Sequence, residues 1–135
     1  MSMISIEKKD GTTVELELDL LDADVVERYE LLMARIVKDI NEPTQYKDIS
    51  NADAMRKQCR IVDVFFNDLF GPGTADMLFD GGNNLGIRLD AFANVASVKD
   101  DIQGDMNSII SKYGFQRIQN REERRAAKKK HRRNN

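Results

Sequence analysis

The chain has 135 residues, of which 41% are hydrophobic and 33% are charged, and its formal net charge is −2. This length and composition fit one modest domain with a terminal extension and leave no room for several domains. No apolar run approaches the roughly 18 residues that a membrane span needs, and we see no signal-peptide pattern at the N-terminus. Because Cys59 is the only cysteine, no internal disulfide forms, and we expect a protein of the cytoplasm.

The charge of the chain changes sign near residue 117. Residues 117–135 hold nine basic and two acidic side chains, a net charge near +7, whereas residues 1–116 keep a net charge near −9. Because residues 117–135 are almost without apolar side chains, we expect them to be disordered until they meet a partner. The basic residues that we predict to bind a partner are Arg121, Arg124, Arg125, Lys128, Lys129, Lys130, Arg132 and Arg133. The predicted organisation is therefore a single α+β domain, 1–116, and a basic tail, 117–135.

Residues 3–20 are predicted to form a β-hairpin. Apolar side chains alternate with polar ones on both arms, namely Ile4, Ile6, Val14, Leu16 and Leu18. A three-residue loop, 9–11, pairs Ile6 with Val14 and places Gly11 at the left-handed position that such loops require. A two-residue turn would pair Ile6 with Glu15 and separate the apolar faces. Two strands alone are marginal in water, so the hairpin must lie on helices or pair with another chain.

Four helices are predicted after the hairpin, over residues 24–41, 51–70, 75–79 and 84–113. Their expected N-caps are Asp24, Ser50 or Asn51, Thr74, and Asn83 or Asn84. Leu21 is expected to pack over the first turn of the first helix. Apolar residues at helical spacing predict the core face of each long helix. In helix 24–41 they are Val26, Tyr29, Met33, Ile36, Val37 and Ile40, and in helix 51–70 they are Met55, Cys59, Val62, Phe66 and Leu69. In helix 84–113 they are Leu85, Leu89, Phe92, Val95, Val98, Ile102, Met106, Ile109 and Tyr113. Gly104 makes a break in the last helix an alternative. The predicted fold is α+β and mostly helical.

The residues form no catalytic or metal-binding pattern that we recognise. Cys59 lies on a predicted core face and the one histidine, His131, lies in the tail, so no nucleophile with its base and no zinc site is indicated. The glycine-rich stretches 71–74 and 80–84 lack the residues of a phosphate-binding loop and are interpreted as helix stops and caps. Carboxylates such as Asp63 and Asp68 fall off the apolar stripes and predict a solvated face. We expect no enzyme activity, no cofactor and no metal.

The short helix between the two glycine-rich stretches is a candidate contact surface. Met77, Leu78 and Phe79 lie there, in a sharp corner between two longer helices. An apolar corner of this kind can bind a partner, and we predict that these three residues do so.

Two parts of the chain carry short motifs of a known family. Residues 62–85 include the sequences FGPGT and LFDGGNN, and the tail includes NREERRA. The chain thereby resembles the tail assembly chaperones of long-tailed phages and prophages of Gram-positive bacteria, over roughly a third of its length. The resemblance implies a protein of the host cytoplasm that binds the tape measure protein and recruits the tail tube protein during tail morphogenesis. It also implies self-association.

The basic tail admits three interpretations. It can bind an acidic protein, including the acidic domain of a second copy, or a nucleic acid, or it can serve solubility alone. A nucleic-acid-binding regulator of a phage or prophage is the alternative function. It is not favoured, because the net charge near −9 of residues 1–116 would repel phosphate and the tail has no interleaved aromatic residues for base stacking.

Overall fold

The computed structural model describes residues 2–112 and Arg125. The chain divides into two compact units, residues 1–101 and 102–135, and the hairpin and the first four α-helices belong to the first unit. The predicted tail and its boundary at residue 117 lie outside the described residues, except Arg125. The architecture is α+β and mostly helical, as the sequence predicts. Within the described part of the chain, no helix combines the length and the apolar character needed to cross a membrane.

Two strands are followed by a series of helices. In chain order the elements are β1 (Ser2–Glu7), β2 (Thr13–Leu18), α1 (Ala23–Ile40), a 3-10 turn (Pro43–Tyr46), α2 (Asn51–Phe70), α3 (Thr74–Phe79), α4 (Leu85–Ala96) and α5 (Val98–Lys112).

The antiparallel pair β1–β2 has the predicted register, with Ile6 opposite Val14. The N–H of Lys8 donates to the carbonyl of Thr12 at 2.7 Å, which closes the predicted three-residue loop. Gly11 in that loop has φ +88°, a left-handed conformation that only glycine adopts without strain. The register prediction is therefore confirmed.

The carboxylate of Asp10 fixes the same loop. It accepts hydrogen bonds from the hydroxyl of Thr12 at 2.6 Å and from the backbone N–H of Thr12 at 2.9 Å. These bonds favour the charged carboxylate, the hydroxyl most strongly, and they hold the pKa of Asp10 below its ordinary value.

α2 is the central element of the core. It packs against α1, α3 and α4, while α4 also packs against β1. Cys59 of α2 is completely buried, as predicted for a core thiol. The hydroxyl of Tyr29 in α1 donates to the carbonyl of Val95 in α4 at 3.1 Å, and burial raises the pKa of this phenol. This polar bond lets a tyrosine occupy the core without an unsatisfied group.

The buried faces of the helices differ in part from the prediction. α1 buries Leu32, whereas Val37, predicted on its core face, is exposed. In α4 the predicted core residue Leu89 is exposed, and its neighbour Arg88 is buried instead. Both differences follow from tertiary packing, because α1 and α4 present to α2 a face that their apolar spacing alone does not define.

Three further apolar expectations are wrong. Leu21 does not pack over α1 but is exposed, and its neighbour Leu20 is buried instead. Met55, in the first turns of α2, is also exposed, and so is Met106 in α5.

The predicted helix 84–113 is two helices, α4 and α5, that meet at Ser97. The hydroxyl of Ser97 donates to the carbonyl of Asn94 at 2.7 Å, and the N–H of Asp100 donates to the carbonyl of Ser97 at 3.2 Å. A serine that bonds back to its own helix competes with the regular ladder and bends it. Gly104 lies within α5, so the alternative break there is wrong.

Two of the four predicted caps are confirmed. Ser50 accepts the N–H of Asp53 at 3.1 Å, and Asn84 accepts the N–H of Ile87 at 3.1 Å. α1 is capped by Asp22 rather than Asp24, because the Asp22 carboxylate accepts the N–H of Asp24. At α3, Gly73 precedes the helix, and Thr74 is instead its first residue.

Replacing Gly11 by alanine is expected to destabilise the protein by about 1–2 kcal/mol, because a Cβ is unfavourable at φ +88° even though no atom obstructs it. Gly104→Ala is the matched control. It also adds a Cβ in open space, but inside a helix, and is expected to raise stability by about 0.5–1 kcal/mol. Urea unfolding measures both changes, and an unchanged midpoint for Gly11→Ala would contradict the left-handed loop.

Candidate functional site

A buried arginine connects α4 to α2. The side chain of Arg88 is only 1% exposed. Its Nε donates to Oδ1 of Asp63 at 2.8 Å, and its Nη2 lies 3.4 Å from Oδ2 of the same carboxylate. Two parallel contacts between a guanidinium and a carboxylate are the strongest form of such a pair. The pair holds α4 on α2.

The other donors of Arg88 bind the loop between α3 and α4. Nη1 donates to the carbonyl of Asn84 at 2.9 Å, and Nη2 donates to the carbonyls of Gly82 at 3.1 Å and Gly81 at 3.3 Å. The guanidinium carbon lies 4.8 Å from the centre of the Phe79 ring, within the range of a cation–π contact. Arg88 therefore fixes the backbone of the loop.

A second arginine binds the same loop from the surface. Nη2 of Arg60 donates to the carbonyl of Gly82 at 2.7 Å and to Oδ1 of Asn83 at 2.9 Å. Its Nη1 lies 3.2 Å from Oδ2 of Asp63. Asp63 thus balances two cations, and the predicted solvated position of this carboxylate is wrong, since its side chain is 14% exposed.

The cluster of Asp63, Arg60 and Arg88 positions a loop. Gly81 and Gly82 have φ +75° and +69°, and both carbonyls face the arginines. In residues 2–112, no group of three His, Cys, Asp or Glu side chains is placed to hold a metal ion. The sequence gives no signal for this cluster beyond an arginine in an apolar stretch of α4.

The predicted corner surface is not continuous in the structure. Met77 is 46% exposed, but Leu78 and Phe79 are 2% and 6% exposed and belong to the core. The Phe79 ring packs edge-on against Phe66, with 5.4 Å between ring centres. Of the three residues, Met77 alone offers its side chain to a partner, because α3 turns the other two inward.

A groove of about 190 Å³ lies between α1 and α2. Its lining consists of Leu32, Arg35, Ile36, Asp39, Arg60, Ile61, Val64 and Phe65. Val64 is 51% exposed, although it is β-branched and apolar. Arg35 in α1 and Asp68 in α2 form an ion pair across the two helices. Asp68 lies one helical turn after Val64 in α2. The sequence signal for this groove is the pair of apolar residues Ile61 and Val64, three positions apart in α2. Val64 is not among the residues predicted for the core face of that helix.

Most of the predicted tail site lies outside the described residues. Arg125 is helical and exposed. Partner binding by Arg121, Arg124, Lys128, Lys129, Lys130, Arg132 and Arg133 stays a prediction, as does that by Arg125.

The chain belongs to a family of unknown function, DUF6673, whose model matches residues 12–128. The match takes in β2, all the helices and much of the basic tail. No curated protein and no solved structure matches the chain.

Asp63→Asn is expected to lower the free energy of unfolding by about 3 kcal/mol, because it leaves the buried guanidinium of Arg88 without its counter-charge. Asp68→Asn is the matched control on the same helix. Its partner Arg35 is about half exposed, so the loss should stay below about 1 kcal/mol. Chemical denaturation of both variants measures the difference, and equal losses would contradict the distinct role of Asp63.

Proposed function

We propose that this member of the DUF6673 family is a phage or prophage tail assembly chaperone of the host cytoplasm. It binds the tape measure protein and tail tube components stoichiometrically during tail morphogenesis. The resemblance of residues 62–85 and of the tail to such chaperones implies that the client is the tape measure protein. The groove between α1 and α2 is the observation that carries the proposal, since a helical client needs an apolar channel of this kind.

The groove suits an amphipathic helix. Leu32 and Ile36 line one wall and Ile61, Val64 and Phe65 line the other. A third helix laid along two packed helices buries its apolar stripe in the channel between them, which is the usual helix-in-groove mode. Val64, half exposed without a client, would be covered in the complex.

The rim of the groove carries both signs of charge. Arg35, Asp39 and Arg60 lie on it, and Asp68 pairs with Arg35. A polar rim around an apolar centre is typical of protein interfaces. Mixed charges suit a client helix whose apolar stripe is bordered by both acidic and basic residues.

The motif residues that carry the resemblance have structural tasks in this chain. Gly71 and Gly73 have φ +116° and +85° between α2 and α3, and Asn84 caps α4. The shared motif is thus consistent with a shared corner geometry, and it leaves client contact to other surfaces.

The tail supplies the second part of the proposal. Its net charge near +7 nearly cancels the charge near −9 of residues 1–116, so copies arranged along one client would repel each other less. The same nine basic residues favour the alternative, a nucleic-acid-binding regulator that uses the tail as an arm.

Val64→Asp is expected to weaken capture of the co-expressed tape measure protein by at least about tenfold, because a buried valine contributes about 1.5 kcal/mol or more and a buried carboxylate is penalised further. Leu89→Asp, at a similarly exposed apolar position on α4, is the control and should leave capture unchanged. Both variants should keep the melting temperature of the parent chain. Undiminished capture by Val64→Asp would remove the groove from the proposal.

Deleting residues 117–135 is expected to leave the melting temperature nearly unchanged, because the tail has little apolar surface to bury. The complex with the client, or self-association, should weaken, and added salt should reproduce the effect in the full chain, since exposed charges are screened within about 8 Å at physiological ionic strength. Sizing and pull-down measure both. Salt-dependent DNA binding that disappears with the tail, with the client complex intact, would instead support the regulator.

A further inference from the structure

The register of the hairpin shows which backbone groups of β2 face away from β1. In an antiparallel pair, hydrogen-bonded residue pairs alternate with non-bonded pairs. Lys8 bonds Thr12, and Ile6 lies opposite Val14 two residues further along, so these are bonded pairs. The N–H and C=O groups of 13, 15 and 17 therefore point outward, along the free edge of β2.

The corresponding edge of β1 contacts a helix. α4 packs against β1, and Nδ2 of Asn94 donates to the carbonyl of Ser5 at 3.2 Å. Ser5 lies opposite Glu15 in a non-bonded pair, so its carbonyl points outward, as the alternation requires. α4 thus contacts the edge of β1 and binds one of its outward carbonyls.

The edge of β2 is open. Thr13, Glu15 and Glu17 are exposed, and within residues 2–112 no hydrogen bond reaches their outward backbone groups. Proteins usually protect such an edge with charged side chains, above all lysine, with proline or with a bulge. The strand, TVELEL, has no lysine, no proline and no bulge, and its charged side chains are Glu15 and Glu17.

The charge on this edge selects the occupant. Glu15 and Glu17 lie on the solvent face, where directly opposite side chains of an added strand would be their neighbours. Opposite charges in such cross-strand positions stabilise pairing and like charges oppose it. A second copy pairing β2 with β2 would bring glutamates together, so a basic strand fits better.

We propose that the open edge of β2 binds an extended segment of another protein that carries Lys or Arg at alternate positions. The segment adds a third strand to the hairpin through main-chain hydrogen bonds, and its basic side chains lie beside Glu15 and Glu17. Its intervening side chains, on the apolar face of the hairpin, are apolar. This inference does not depend on the proposed function.

The probe is a blocked hexapeptide that alternates Lys and Val, added to the full chain and followed by amide hydrogen exchange. The amides of Thr13, Glu15 and Glu17 are expected to exchange at least tenfold more slowly when the peptide is bound. The amides of Val14 and Leu16 already bond to β1 and should not change. Protection of the three outward amides without peptide would place this chain's own tail or a second copy on the edge and overturn the proposal.

Charge variants separate specific pairing from general attraction. Glu15→Lys with Glu17→Lys is expected to weaken peptide binding about tenfold and to create binding of a Glu/Val peptide. Glu27→Lys with Glu30→Lys makes the same charge change at exposed positions of α1 and should alter binding less than twofold. Equal losses in both double variants would overturn the proposal.

A peptide of the same sequence with alternate backbone nitrogens methylated tests the main-chain bonds. Its charge is unchanged, but it cannot donate along one edge, so its binding should be lost. Binding as tight as that of the parent peptide would mean attraction by charge alone and would also overturn the proposal.

Discussion

The pair formed by Arg88 and Asp63 constrains the arrangement of α2, α3 and α4. Removing a guanidinium from water costs several kcal/mol unless a counter-charge and acceptors replace the lost hydration. Here one carboxylate and three loop carbonyls do so. The loop must therefore turn its carbonyls inward, and Gly81 and Gly82 adopt left-handed conformations that residues with side chains rarely reach. Glycine at positions 81 and 82 thus follows from the burial of the Arg88 charge.

This corner leaves two surfaces of different character. While α3 and α4 pack against α2, a groove lined in part by Val64 remains between α1 and α2. With α4 covering β1, the edge of β2 stays open. A groove takes apolar side chains and an edge takes a main chain, so the two surfaces can serve different partners or different parts of one. The groove and the β2 edge both stay accessible because α2 and α4 pack against other elements.

Local rules predicted the parts of the fold that depend on a few adjacent residues. The hairpin register follows from alternation and from Gly11, and the caps Ser50 and Asn84 follow from side chains that bond within one turn. The buried position of Arg88 could not be predicted, because its partner is 25 residues away and a charge on a helix normally indicates a solvated face. The groove could not be predicted for a related reason, because the exposure of Val64 depends on how α1 packs against α2.

A double-mutant cycle between Arg88→Met and Asp63→Leu measures the coupling between the two buried charges. Asp63→Leu leaves the guanidinium of Arg88 buried without its counter-charge and is expected to cost about 3–5 kcal/mol of unfolding free energy. Arg88→Met leaves Asp63 paired with the more exposed Arg60 and is expected to cost less. The double change replaces the buried pair by apolar groups. The double variant is expected to be more stable than the sum of the single losses by at least about 2 kcal/mol. Additive losses in the cycle, with no coupling between the two positions, would contradict it.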